Sequence, residues 1–206
     1  IDLNVKEAVL GWQGRPHPYL PRPKREELRL TTPLIARYHK SKLWVHPFRI
    51  QGTDTNITMA ATVRGNQQQA KILGEVGLVL VPYLLPRGLI ERATGAVTVD
   101  LGVTHGPGGV VPHGVVYLAG NELKLGELGF PLTLRAGKVQ FGKGRVNLSS
   151  VRVVYEEEEL QMNGDILLAS NLVPRQLGLK VKGAVSSRIL FAFAADSLYS
   201  TQGSSN

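Results

Sequence analysis

The chain has 206 residues, a formal net charge of +8 and no cysteine. Its length suits one large domain. A hydrophobic share of 43% excludes a disordered composition, and the absence of thiols excludes disulfides and thiolate metal sites. Glycine (23) and proline (12) favour strands and turns over helices.

In chain order, residues 1–40 read as an irregular, proline-rich or edge segment. "GRPHPYLPRPKREE" carries Pro16, Pro18, Pro21 and Pro23, and proline cannot sit in the middle of a sheet. "LNVKEAVL" before it fits a strand or a short helix equally well. Lys24, Arg25, Arg29, Arg37, Lys40 and Lys42 gather positive charge near the N-terminus. Such a patch suits nucleic acid, anionic lipid headgroups or a plain solvated face. The chain begins at Ile1 without a signal peptide, a cleavage site or an 18-residue apolar run, and it reads as an interior fragment of a longer protein.

From Leu28 the apolar period becomes two, the mark of half-buried strands. "LRL" starts it and "KLWVHPFRI" follows. "NITMAATV" sets Ile57, Met59, Ala61 and Val63 against Asn56, Thr58 and Thr62. "KILGEVGLVLV" is more fully apolar and reads as a strand buried on both faces. "PYLLPRGLIERATG" breaks the alternation. It fits a short helix or a turn after Pro86, with leucines that would cap the end of an apolar surface. "AVTVDLGV" restores the period with Val97, Val99, Leu101 and Val103. Short strands follow: "GVVYLAG", "ELKL", "LTL", "KVQF", "RVNL", "VRVVY", "ELQMNG", "DILLA", "LGLKV" and "RILFAF". The segments "HGPGG", "AGN", "AGK", "GKG" and "NG" read as the turns between them. Residues 199–206 read as a disordered tail after a strand domain over 41–198.

A dozen or more strands without a helical layer pair as antiparallel hairpins and meanders. Such a sheet must split into a sandwich, close into a barrel, or curl without closing. The last option leaves an apolar concave face for something else to fill.

Catalytic chemistry is missing, so no enzyme activity and no cofactor are expected. The histidines (His17, His39, His46, His105 and His113) form no HxH or HExxH pair, and two histidines around a Pro-Gly-Gly loop are too few to hold a metal. "EEEE" at Glu156–Glu159 lacks the spacing of a calcium loop and reads as a solvated hairpin tip. Gly142-Lys143-Gly144 opens no helix and is no phosphate loop. Aromatic residues make up only 6% of the chain, which argues against stacking on single-stranded nucleic acid.

The order of motifs carries a resemblance. An Asp-Thr turn (Asp54, Thr55) precedes a strand, and a Gly-x-Val-x-Val strand follows (Gly95, Val97, Val99). After a Pro-Gly loop, Pro112 precedes Gly114 at the start of a further strand. Then come Gly-x-Val (Gly137, Val139), Gly-x-x-x-Leu (Gly144, Leu148) and Leu-x-Met-x-Gly (Leu160, Met162, Gly164). From about Ser41 to Leu190 this resembles the TamB-like inner-membrane subunit of the bacterial translocation and assembly module, in the AsmA-like group. The Pro112–Gly114 spacing is tighter than in that family, and residues 1–40 do not share its pattern.

The resemblance implies an all-β fold: an elongated, curled antiparallel sheet forming an open, taco-like half-pipe with an apolar concave face. It implies a periplasmic segment of a protein anchored in the inner membrane that conducts phospholipid between the two membranes and supports outer-membrane protein assembly. Its partners would be phospholipid acyl chains, an Omp85-type outer-membrane barrel protein and nascent outer-membrane proteins, with no nucleic acid. About a dozen stacked strands would give a groove on the order of 60 Å long.

The expected groove lining is Ile57, Met59, Val63, Val97, Val99, Leu101, Val103, Leu123, Leu125, Leu132, Leu134, Val139, Phe141, Val146, Leu148, Val151, Val153, Leu177, Leu179 and Val181. In a sandwich the same residues would be ordinary core. Two further functions fit the strand pattern. One is a chaperone-like β scaffold for outer-membrane barrel or autotransporter assembly, working through exposed sheet edges. The other is an extracellular β-sandwich binding module, which would need aromatic platforms although Trp12 and Trp44 are the only tryptophans.

Overall fold

A computed structural model of the chain describes residues 1–12, 26–80, 90–125, 131–155, 157–169, 172 and 174–183. These form one sheet of 14 strands. In chain order the strands are β1 (Asp2–Val5), β2 (Val9–Trp12), β3 (Glu26–Leu30), β4 (Leu34–His39), β5 (Lys42–Gln51), β6 (Asn56–Arg64) and β7 (Gln67–Gly77). They continue with β8 (Ile90–Thr94), β9 (Ala96–Gly106), β10 (Gly109–Leu125), β11 (Pro131–Gly142), β12 (Arg145–Tyr155), β13 (Glu158–Leu168) and β14 (Pro174–Gly183). The sheet runs β1-β4-β5-β6-β7-β9-β10-β11-β12-β13-β14, with every pair antiparallel; β2, β3 and β8 pair off this path. The path does not return to its start, so the sheet is an open half-pipe and neither a barrel nor a sandwich.

Strand neighbours in sequence are neighbours in space because tight turns join them. Lys40 and Ser41 both have positive φ, as do Lys143 and Gly144. Each pair forms a two-residue turn whose twist matches the flanking strands. Residues 1–40 supply β1 to β4 of the same sheet, with β1 at its edge. Of the expected helix or turn over residues 82–95, positions 82–89 lie outside the described residues, and Ile90–Thr94 is strand β8. The tail expected at 199–206 also lies outside them.

Two expectations are corrected. Strand β7 is not buried on both faces: Lys71, Leu73 and Glu75 are exposed while Ile72 and Val76 are half-buried. The segments "AGN", "AGK" and "NG" are not turns, because they lie inside β10, β11 and β13. The central strands are therefore long, up to 17 residues in β10. Glycine here bends a ladder without ending it.

These bends line up. At Gly95, which has positive φ, the chain kinks between β8 and β9. Gly120 (φ 65°) kinks β10, the β11 register shifts around Ala136, and Ser150 (φ 50°) marks a bulge in β12. A crease thus crosses four neighbouring positions of the sheet. Along each of β10, β11 and β12 the apolar alternation slips by one residue there. It passes from Leu118 to Asn121 and Leu123, from Leu134 to Gly137, and from Leu148 to Val151.

Asn121 locks the crease. It is fully buried; its Nδ2 donates to the Ala96 carbonyl at 2.7 Å, and its Oδ1 accepts from the Ala119 N–H at 2.9 Å. The main packed core sits beside it: Leu78, Ala93, Val97 and Val99, flanked by Ile72, Leu101, Val116 and Leu123.

Away from the crease, Gly114 holds φ 120° in mid-strand, where a Cβ would overlap the Asp100 carbonyl oxygen. Gly114→Ala is therefore expected to cost about 2 kcal/mol or more in urea unfolding. Gly106→Ala, with open space around its Cβ, should stay within about 0.5 kcal/mol of the parent. Asn121→Ala strips the Ala96 carbonyl and the Ala119 N–H of their partner and should cost about 2–3 kcal/mol in the same assay.

Candidate functional site

Cross-strand partners share a face, so the register shows which side chains stand together. One row runs Ile50–Ile57–Gly74–Val99–Val116–Val139–Leu148–Gly164–Leu179 through directly paired positions from β5 to β14. A second row runs Phe48–Met59–Ile72–Leu101–Gly114–Phe141–Val146–Ile166–Leu177 over the same nine strands. No charged or hydrogen-bonding side chain interrupts either row. Eight inter-strand steps of about 4.8 Å make a stripe on the order of 40 Å long.

The opposite face is polar. Between those rows lies Arg49–Thr58–Leu73–Asp100–Val115–Gln140–Asn147–Asp165–Gly178. Ion pairs dress this side, with Lys71 to Asp100 at 3.3 Å and Arg135 to Glu159 at 3.2 Å. Both pairs are exposed and contribute little stability.

The two faces differ in burial although no second layer of strands or helices covers either among the described residues. Val99 and Val153 are each 4% exposed, while their strand neighbours Thr98, Asp100 and Arg152 are exposed. A flat single sheet would expose both faces alike. The asymmetry follows from a sheet curled toward its apolar side, so that this side lines the concave wall. Burial is deepest near the crease. It relaxes toward the other strand ends, where Val63, Val103 and Val110 are only half-buried.

The register places the expected lining residues other than Leu125 on this one face. Ile57, Met59, Val99, Leu101, Val139, Phe141, Val146, Leu148, Leu177 and Leu179 occupy the two rows. Val63 and Val103 lie in line with their strands' row members toward one end, and Val97 lies toward the other. Past the crease, Leu132 pairs Leu123 and Leu134 pairs Val153; Val151 pairs Met162, which pairs Val181. Leu125 ends β10 opposite Ile90. Leu177, Leu179 and Val181 differ from the rest in being exposed, because β14 is the last strand of the path.

Sequence reasoning missed Phe48, Ile50, Ile72, Val116, Met162 and Ile166, which share the face. For Phe48 the signal was blurred by the register shift between Val45 and Phe48. For Val116 it was blurred by the outward-facing Val115 beside it.

Elsewhere the chemistry is sparse. His105 and His113 lie at opposite parities of the β9–β10 ladder and thus on opposite faces. The ring of His113 covers its partner Gly102, where a side chain would stand. Among the described residues no group of three or more His, Asp or Glu side chains is placed to hold a metal ion. A shallow depression of about 440 Å³, lined mainly by outward residues including Ala60, Lys71, Gly102 and His113, gathers no nucleophile beside a base.

An apolar face of this size, with no layer over it among the described residues, predicts that the folded protein enhances the emission of an anilinonaphthalene dye. Val139→Glu/Leu148→Glu, at half-buried and directly paired positions, should abolish most of that enhancement while the far-UV circular dichroism stays that of a β protein. Comparison with protein-family models, with curated proteins and with solved structures found no match to this chain.

Proposed function

We propose that this chain is a lipid-conducting segment of a bridge-like envelope protein, in which the acyl chains of phospholipids occupy the concave face. The observation that carries the proposal is the unbroken pair of apolar rows over nine strands, with no second layer upon them among the described residues. Each CH₂ withdrawn from water gains about 0.8 kcal/mol, so alkyl chains enter such a trough readily. The rows present no buried polar group that would lodge a lipid at one place, which suits sliding. The motif order resembling TamB-like proteins supports the same reading. It adds a periplasmic location, an inner-membrane anchor on the parent protein and an Omp85-type outer-membrane partner to the proposal.

A second reading has its own observation. Every residue of β14 is exposed, including Leu177, Leu179 and Val181. Among the described residues no strand pairs with the outer side of β14, and an edge of this kind pairs with incoming strands, as a scaffold for nascent outer-membrane proteins would. The two activities are compatible in one protein.

Photo-crosslinking in cells tests the first reading. A crosslinker at Phe141, on the apolar face, should give lipid adducts, and one at Gln140, on the polar face opposite Val115, should not. Adducts from Phe141 to its own chain alone would end the conduction reading for this segment.

A further inference from the structure

The two long rims of the half-pipe differ in charge: one is basic and the other mixed. One rim is built from the turns joining β4 to β5, β6 to β7, β9 to β10, β11 to β12 and β13 to β14. Its described tips hold Lys40, Lys42, Arg64, Lys143, Arg145 and Arg175, and no Asp or Glu. The other rim, at the opposite strand ends, mixes Asp54, Glu75, Glu91, Glu122, Glu157 and Glu159 with Arg92, Lys124, Arg135, Arg152 and Lys182. Its cations are partly consumed there: Lys124 pairs with Glu91 at 2.8 Å, and Arg135 and Arg152 both reach Glu159.

Among the described residues no carboxylate forms an ion pair with these six cations of the basic rim. Lys42 stands directly opposite Arg64 in the β5–β6 ladder, an arrangement of like charges that costs stability. Lys42 also lies 4.5 Å from the centre of the Trp44 ring, which holds its ammonium at the rim. Arg64, Lys143, Arg145 and Arg175 are exposed. Successive tips are about two strand spacings, or about 10 Å, apart. They flank the shallower side of the apolar face, where an acyl chain would leave the trough.

We infer that the groove takes anionic phospholipid in one orientation, with chains on the apolar face and headgroup phosphates over the basic turn rim. This rests on the acyl-chain reading above and adds the headgroup class and its side. The basic rim attracts a phosphate with cations alone, whereas the other rim sets carboxylates among its cations, so a phosphate-bearing headgroup is sorted to the basic side of the pipe. None of the six basic-rim cations is buried, so each contact stays weak and solvated. A headgroup is then passed from tip to tip and not trapped.

The test is equilibrium binding of two fluorescent lipids with identical chains, phosphatidylglycerol and phosphatidylcholine, to the whole chain. At low salt the anionic lipid should bind on the order of tenfold tighter, and the ratio should shrink toward one in molar salt. Arg64→Gln/Lys143→Gln/Arg145→Gln should bring the ratio near one and leave phosphatidylcholine binding unchanged. Arg92→Gln/Lys182→Gln on the other rim should keep the preference. Trp44 emission should respond to phosphatidylglycerol more than to phosphatidylcholine. Equal binding of both lipids by the parent protein overturns the headgroup assignment and leaves the acyl-chain reading standing. A preference lost equally in both rim variants overturns the sidedness. Displacement of the anionic lipid by excess inorganic phosphate would reduce the rim to a plain anion site. Binding of neither lipid removes the acyl-chain reading, and the headgroup assignment with it.

Discussion

The structure depends on one constraint: the apolar residues of nine consecutive strands must stay on the same side of a sheet that bends. Side chains in a strand alternate, so a slip of one residue moves a whole strand's apolar set into water. A long flat ladder would satisfy the constraint trivially but would have no concave wall. Curling requires bends, and each bend threatens the phase. The crease through Gly95, Gly120, Ala136 and Ser150 resolves this. Three neighbouring strands shift phase at the same level, so their pairing survives and the apolar side remains continuous. Asn121 pins the crease from within, because its amide ties the Ala119 N–H of its own strand to the Ala96 carbonyl of the neighbouring one. A polar side chain can be fully buried in this apolar region only because both its donor and its acceptor are used there.

The same geometry limits the stability the chain can draw from its own packing. A two-layer protein buries each inner side chain against a second layer. Here the most buried residues cluster at the crease, and the rows elsewhere rest half in solvent. Such a trough has a standing gain available from any alkyl chain that enters it. A ligand that binds only the folded sheet shifts the folding equilibrium toward it. On the acyl-chain reading the cargo is the missing second layer, and loading and stability are thermodynamically linked. A mutation that spoils the face without disturbing the fold should therefore lose the ligand's stabilisation more than the empty sheet's own.

Much of the face was legible in the sequence because strands like "NITMAATV" and "AVTVDLGV" alternate cleanly, and one parity choice places four residues at once. The strand lengths were not legible. Gly120, Gly137 and Gly164 look like punctuation in "AGN", "AGK" and "NG", yet they sit inside paired strands with positive φ. A glycine that ends a strand and one that creases it have the same letters on either side. The difference lies in whether a partner strand bends at the same level, which is a property of the pairing. "KILGEVG" misled for a related reason: Leu73 is exposed on the polar face, so an apolar residue there mimicked a strand covered on both sides.

The rim charges belong to the same class of hidden order. Lys40, Arg64, Lys143 and Arg175 are far apart in the chain and look like scattered surface cations. They converge because a meander returns to the same edge every second strand, so alternate turns fall on one rim and the intervening turns on the other. Glu157, Glu158 and Glu159 follow the same rule onto the opposite side. A net charge of +8 is thus less informative than its partition. Within a Debye length of about 8–10 Å, an anion at the turn rim meets cations with no carboxylate among the tips. Across the pipe it would meet carboxylates interleaved with cations. The antiparallel connectivity that makes the trough also gives its two lips different chemistry, and a trough with unlike lips can orient what it carries.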